Sequence, residues 1–318
     1  MFRRIALTLA ILGLAAPTFA APGNSCDRAC LNKLADDYVA ALVAHDPARV
    51  PLARGVKMVE NVKRIQPGVG LWKSVTAAPT TFRIYVPDAV AQQVGYLGLL
   101  QVDGKPALLG LRLALSGGKI TEAEHVIAPG IGAGNLANLQ TPRHALVSSV
   151  PEDYRDSRGR LLSIGAAYYD ALDLNNGALA PFADDCVRFE NGGQSARKPV
   201  PSAPSADSFA PFGALGCAAQ LDTQVMAYIT KIDNRRVWIA DEENGLAFGL
   251  SHFRHAMDKI EWPTYGVPGV PFRKIDYKPF DLPAVHIFKI WGGQIHEIEA
   301  IGFLAPYNSP TGWEPDSN

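Results

Sequence analysis

The chain has 318 residues, of which 19% are charged, with a formal net charge of −1. That balance excludes the basic surface of a nucleic-acid or anionic-membrane binder, since no lysine- and arginine-rich stretch or basic helix stands out. The apolar fraction of 47% is that of a globular protein, and the length suggests two domains or one large one.

The first predicted element is a secretory signal peptide over residues 1–20. Arg3 and Arg4 form a positive start, Ile5 to Leu14 an apolar run, and Thr18-Phe19-Ala20 places small residues at both cleavage positions. The run is too short for a stable membrane span, so cleavage after Ala20 and a soluble mature protein, periplasmic or secreted, are expected. The four cysteines are an even count for an oxidising compartment. Cys26 with Cys30 and Cys186 with Cys217 are the expected disulfides. The alternative, a zinc site, lacks a two-residue Cys spacing or a nearby His, so no metal and no cofactor are expected.

Next comes an amphipathic helix from Asp27 to Ala44. Strands follow near Val56–Glu60, Thr81–Pro87, Val94–Val102, Ala107–Leu115 and Lys119–Ile127. The same order then recurs. Tyr38 to Asn61 aligns with Tyr168 to Asn191 without a gap, at an offset of 130 residues. Leu111 to Val126 aligns with His286 to Ile301 at an offset of 175; in both, two alternating runs flank a Gly-Gly turn, a hairpin signal. About 45 extra residues therefore lie in the second unit. They fall in Gln194–Gly216 and in Asp258–Pro283, both Pro-rich. The second stretch carries Trp262, Tyr265, Phe272, Tyr277 and Phe280 and reads as a packed lid or interface loop.

Helix first, then an antiparallel sheet, is an α+β plan. The boundaries expected are 24–140 for the first domain, 150–306 for the second and 307–318 for a tail. The pattern Tyr168-x-x-Ala171-Leu172, then Phe182-Ala183-Asp184-Asp185 and a strand ending at Asn191, followed by the Gly-Gly hairpin, resembles the NTF2-like/SnoaL-like superfamily. The first unit departs from it with Leu52-Ala53-Arg54-Gly55. The arrangement is also similar to exported fungal and bacterial proteins of that kind. The resemblance implies two tandem cones, each a bent sheet enclosing a pocket, paired through their sheets within one chain. A homo-oligomer is a further option. It implies no single chemistry, because isomerases, dehydratases and plain binding proteins share such a cone.

In a ketosteroid isomerase of that superfamily, the Tyr matching Tyr38 and Tyr168 donates to a developing oxyanion; the plain alternative is a packed helix Tyr. Asn61 and Asn191 stand where that enzyme has its carboxylate base. An amide takes no proton, so each either orients a substrate oxygen or closes a strand-end turn. Glu60 and Glu190 precede them on the opposite strand face. Glu122 with Glu124, and Glu297 with Glu299, sit about 6.6–7 Å apart on strands. They are read as sharing a face with Ile120 and Val126, and with Ile295 and Ile301. That suits either paired acid–base work or a face bridged to Arg and Lys. His252, His255, His286 and His296 concentrate in the second unit, where a His beside a lid is a candidate base.

The second unit is therefore the expected active one. Tyr168, Asn191, His286 and His252 are its catalytic candidates. Tyr38, Asn61, Trp72, Tyr85, Arg112 and Trp262 are candidates for substrate binding. The function expected is a cofactor-free lyase, isomerase or hydratase acting on a small organic molecule. The rival is a non-catalytic binding or scaffold protein. No nucleic acid or membrane is expected as partner.

Overall fold

A computed structural model describes residues 25–199 and 209–315; the expected signal peptide lies outside the described residues. The fold is α+β, two tandem units each built as a helix against a bent sheet. The first unit opens with α1 (Arg28–Val43), started by Asp27, whose side chain accepts from the Cys30 amide. Its strands are β1 (Leu52–Glu60), β2 (Lys63–Ile65), β3 (Val75–Ala77, after the short α2, Leu71–Ser74), β4 (Arg83–Asp88), β5 (Gln93–Val102), β6 (Lys105–Ser116) and β7 (Lys119–Pro129). The sheet order is β2-β1-β7-β6-β5-β3, with β4 also paired to β5. β1 runs parallel to β7 and the remaining pairs are antiparallel.

Two short helices, α3 (Ala133–Asn138) and α4 (His144–Val147), link the units. The second unit repeats the plan with α5 (Arg158–Asp173), capped by Ser157. There follow β8 (Phe182–Glu190), β9 (Gly193–Ala196), α6 (Ala210–Gly213), α7 (Cys217–Asp222), β10 (Lys231–Asp241) and β11 (Leu246–His255). A two-stranded hairpin, β12 (Glu261–Pro263) and β13 (Phe272–Lys274), precedes β14 (Phe280–Trp291), β15 (Gln294–Gly302) and β16 (Ala305–Pro306). The order β10-β11-β14-β15-β8-β9 mirrors the first sheet, and β15 pairs parallel with β8 as β7 does with β1. Both expected disulfides are present, Cys26–Cys30 and Cys186–Cys217. No helix among the described residues is long and apolar enough to cross a membrane.

Strand alternation gives each sheet an inner face against its helix and an outer face. The inner faces make two separate cores, around Tyr38 and Leu109 in the first unit and around Tyr168 and Phe288 in the second. The outer faces pack on each other: Ile84, Leu97, Leu108 and Val126 meet Ile239, Phe248, Val285 and Ile301 in one buried cluster. Two glycines set how closely the sheets approach. A Cβ at Gly95 would lie 2.4 Å from the Phe248 ring, and one at Gly110 would lie 2.8 Å from Val285.

The same interface holds the paired glutamates. Glu124 receives both terminal nitrogens of Arg236 from the other unit, at 2.6 and 2.7 Å, with Arg112 beside it at 3.5 Å. Arg143 of the linker bonds Glu297 and Glu299, each at 2.7 Å. Burial alone would lift the Glu124 carboxyl, but Arg236 and Arg112 hold it below the usual range; Glu299 is raised by burial despite Arg143. Bulges between Ala114 and Leu115 and between Lys289 and Ile290 reverse the alternation next to these pairs. Ile120 and Ile295 therefore enter the two cores while the glutamates and Val126 and Ile301 face the interface, which corrects the single shared face expected from sequence. Arg112, a binding candidate from sequence, is 2% exposed and paired with Glu122 and Glu124 at this interface.

Removing one partner of a buried ion pair leaves an uncompensated charge. Arg236→Met should therefore lower the unfolding free energy by about 3–5 kcal/mol in urea titrations. Asp37→Asn, which removes the exposed pair with Lys33, should change it by less than about 0.5 kcal/mol. Equal effects would remove the interface from its central place.

Candidate functional site

The inner face of β8 shows its polar residues at alternate positions. Arg188 and Glu190 point into the second cone, on the face opposite Asn191. From β14 comes His286, from β11 His255, from α5 Tyr168, and from the segment after α7 Tyr228. These six groups line a cavity of about 50 Å³ whose remaining wall is apolar, chiefly Leu172, Met226, Ile229 and Phe253. A water needs roughly 10–15 Å³ of such space, so the cavity admits about three to five water-sized groups.

Arg188 is the single cation on the wall and is 5% exposed. Its Nε donates to Ser195 Oγ at 2.8 Å. Its charge attracts the Tyr168 phenol, and Glu190 attracts it from the exposed mouth. Among the described residues no carboxylate closes an ion pair with it. Burial raises the Tyr168 phenol above its ordinary value, with Arg188 opposing; Tyr228 is likewise raised by burial. Both phenols are therefore neutral donors at neutral pH.

His286 stacks over Phe288 and is bonded through Nδ1 to the Tyr169 hydroxyl at 3.1 Å. Burial, with Arg188 adding to it, pushes the His286 ring down to about 3. His255 stacks on Phe280, with ring centroids 4.1 Å apart, and burial pushes it to about 4. Both rings are neutral at pH 7. A base this weak accepts a proton poorly, so His286 serves the site as a neutral hydrogen-bonding ring.

Several sequence candidates lie elsewhere. Asn191 has φ 47° and clamps the neighbouring strand: its Nδ2 donates to Gly302 O and its Oδ1 accepts from Gly302 N, both at 3.0 Å. Asn61, with φ 43°, clamps Ile127 in the same way. Asparagine suits this position because it tolerates the left-handed region and supplies both a donor and an acceptor. Both amides hold the neighbouring strand, and neither lines the cavity of the second cone. His252 points to the outer face beside Asp233, Arg254 and Asp281, since it alternates with Phe253 and His255 on β11. Trp262 is buried behind Tyr228, stacked on it at 5.8 Å and bonded through Nε1 to Gln224 O. The β12–β13 hairpin is thus a brace for Tyr228, with Arg273 also over that ring.

Among the described residues the first cone holds a buried core cluster around Tyr38 and Leu109. Tyr38 donates or accepts at His125 Nε2 (2.9 Å), His125 Nδ1 meets Glu60 at 3.1 Å, and Glu60 accepts from the Leu71 amide. Trp72 packs edge-on to Tyr38, its ring 1% exposed. Tyr85, on β4, reaches α1, donating to Asp36 at 2.6 Å. None of these forms a ligand wall like that of the second unit.

Laying one unit on the other shows how the second cone was opened. Leu109 is matched by Ala284 and His125 by Ala300, both cavity-lining and both smaller. Leu111 is matched by His286, Met58 by Arg188 and Val102 by His255, each swapping an apolar group for a polar one. Arg188 and Tyr228 were absent from the sequence candidates, while Glu190 and His255 were singled out in the sequence but not placed in the expected catalytic set. The Arg188–Glu190 alternation beside the Met58–Glu60 pair was the available signal.

Residues 154–302 match a family described as a domain of unknown function, DUF8021, which spans the second unit. The chain matches none of the curated proteins compared with it. Among solved structures it is similar to a proposed polyketide cyclase from Xanthomonas campestris pv. campestris, at 17% identity and a TM-score of 0.28, covering 45% of this chain and 90% of that one. AclR, a proposed hydroxylase from Streptomyces galilaeus, matches at 12% identity and a TM-score of 0.29, covering 51% and 91%. An NTF2-like protein from Burkholderia thailandensis E264 matches at 15% identity and 0.23, covering 45% and 90%.

The histidines give a pH signature with a definite sign. With His286 lowered from 6.5 to about 3, the unfolded chain takes up this proton first. Its contribution to stability is complete above pH 6.5 and is lost as pH falls toward 3. His252 and His255, at about 4, act the same way. Between pH 6 and 4, His286→Gln should flatten the slope of unfolding free energy against pH by about 1 kcal/mol per pH unit. Identical slopes in the two proteins would contradict the buried neutral ring.

Proposed function

We propose that the second unit is a cofactor-independent enzyme working by acid–base chemistry on a small carbonyl compound. The observation that carries this reading is the convergence of a buried Arg–Tyr pair and a carboxylate on one cavity, where the sister unit has a packed interior. Tyr168 and Arg188 bond the substrate oxygen. Glu190 accepts a proton from the adjacent carbon, and the electron pair left behind moves onto the oxygen, where the two donors hold the negative charge. Where a C=C bond adjoins that carbon, the electron pair spreads along the conjugated system, and return of the proton from Glu190 to its far carbon shifts the double bond, which is isomerisation. Loss of a leaving group from the neighbouring carbon gives elimination, the lyase outcome. Neutral His286 keeps the deep wall polar without adding a second charge.

The chain is further proposed to be exported. The N-terminal charge, apolar run and small residues support this, as do the two disulfides. Protein expressed from the full sequence in a secreting host should begin at Ala21. The second reading is a binding protein without turnover, which the small cavity volume favours.

The two readings separate in a proton-exchange assay. Deuterium incorporation at carbon next to the carbonyl is followed by NMR for a panel of small ketones and oxo acids. An enzyme should speed exchange, and Glu190→Gln and Tyr168→Phe should each slow it by about 10²-fold or more with unchanged unfolding curves. Saturable binding with no exchange above buffer would leave the binding reading in its place.

A further inference from the structure

Resting on that choice of site, we infer that the second cone recognises a short-chain carboxylate, two or three carbons long, seated on Arg188. The argument starts from charge. Arg188 is a guanidinium almost wholly out of water whose Nε is held by Ser195, and burying a cation with no ion pair among the described residues is unfavourable. The one carboxylate on the wall, Glu190, stands at the exposed mouth and makes no ion pair with it among the described residues. His255 and His286 are neutral, so neither offsets nor adds charge.

The second argument is the balance of donors and acceptors. Tyr168 and Tyr228 bring neutral hydroxyls and Arg188 brings nitrogens fixed by its Nε bond to Ser195. The inner part of the cavity is thus rich in donors, and its strongest donor is a fork that matches the two oxygens of a planar carboxylate. A neutral carbonyl would satisfy one of these donors and leave the charge uncompensated. Size gives the chain length. A cavity of about 50 Å³ takes the carboxylate and one or two further carbons, which meet the apolar wall at Leu172 and Met226. Glu190 at the mouth repels a second carboxylate, so the ligand is a monoacid.

The test uses the mature protein with acetate, propionate and pyruvate as probes, measured by saturation-transfer NMR and calorimetry. Acetamide, succinate and chloride are the controls. The expected result is saturable binding of the monocarboxylates, at least about tenfold tighter than acetamide or succinate. Arg188→Met, a near match in volume and the residue found at the equivalent Met58, should abolish the preference for carboxylate over amide. Should that variant not fold, Ser195→Ala, which frees the Nε without touching the cavity wall, should weaken carboxylate binding severalfold instead. Equal binding of acetate and acetamide, or binding of chloride as tight as that of acetate, would overturn the inference. Carboxylate binding without proton exchange would uphold it while removing the enzyme reading. Exchange on neutral ketones with no carboxylate preference would do the reverse.

Discussion

Packing of the two outer sheet faces against each other is the constraint on which everything else in this molecule rests. A bent sheet with one helix covers only its inner face. The outer face of each unit is apolar around Val126 or Val285 and charged at Glu124 or Glu299. Alone, each would expose both an apolar surface and a row of carboxylates. Together they bury the apolar part and answer each glutamate with an arginine from outside its own sheet: Arg236 for Glu124, Arg143 for Glu299. Such pairs add little net stability compared with apolar packing, but they penalise a shifted register heavily, because a slip strands a buried charge. The glycines at positions 95 and 110 fix the spacing, and the linker donates Asn135 and Asn138 to backbone carbonyls of the second unit. The C-terminal tail returns to the first unit, where Trp313 lies against Arg112 and Arg64.

With the outer faces committed, the inner faces are free to differ, and they do. The first cone closes on a Tyr38–His125–Glu60 chain with every group partnered. The second keeps the tyrosine and the glutamate and replaces the bulk between them. Alanine at 284 and 300 removes volume, while Arg188 and His286 bring polarity to positions held by methionine and leucine in the first unit. The same backbone plan thus appears once filled and once opened within a single chain.

This division explains what was legible in the sequence. The repeat, the helices, the long strands and the Gly-Gly hairpins follow from local periodicity and turn chemistry, and each was found within a few residues of its observed place. The asparagines were visible as strand ends, but their side chains bond a neighbouring strand, at Ile127 and Gly302, rather than closing a turn on their own backbone. What could not be read was facing. The bulges in β6–β7 and β14–β15 invert alternation at the paired glutamates, and no residue type announces them. His252 and His255 differ by three positions on one strand, which sends one to the interface and the other to the cavity. Trp262 looked like a lid residue and is a brace, because the hairpin carrying it packs behind Tyr228.

The opened cone also bears on the choice between a structural and a working second unit. Replacing a buried leucine by alanine ordinarily costs about 2–5 kcal/mol, and burying a cation that closes no ion pair among the described residues adds a desolvation cost. A unit serving only as a packing partner would gain stability by adopting the interior of its sister, and the sister shows that this backbone accepts that interior. Phe253 and Tyr169, whose hydroxyl lies over Gly249 and meets His286, refill part of the lost volume. They leave the space beside Arg188 and Tyr168 open. The refilling is therefore selective: the apolar half of the cone is repaired, and the part that stays open is the part that holds the guanidinium, the phenol and the carboxylate.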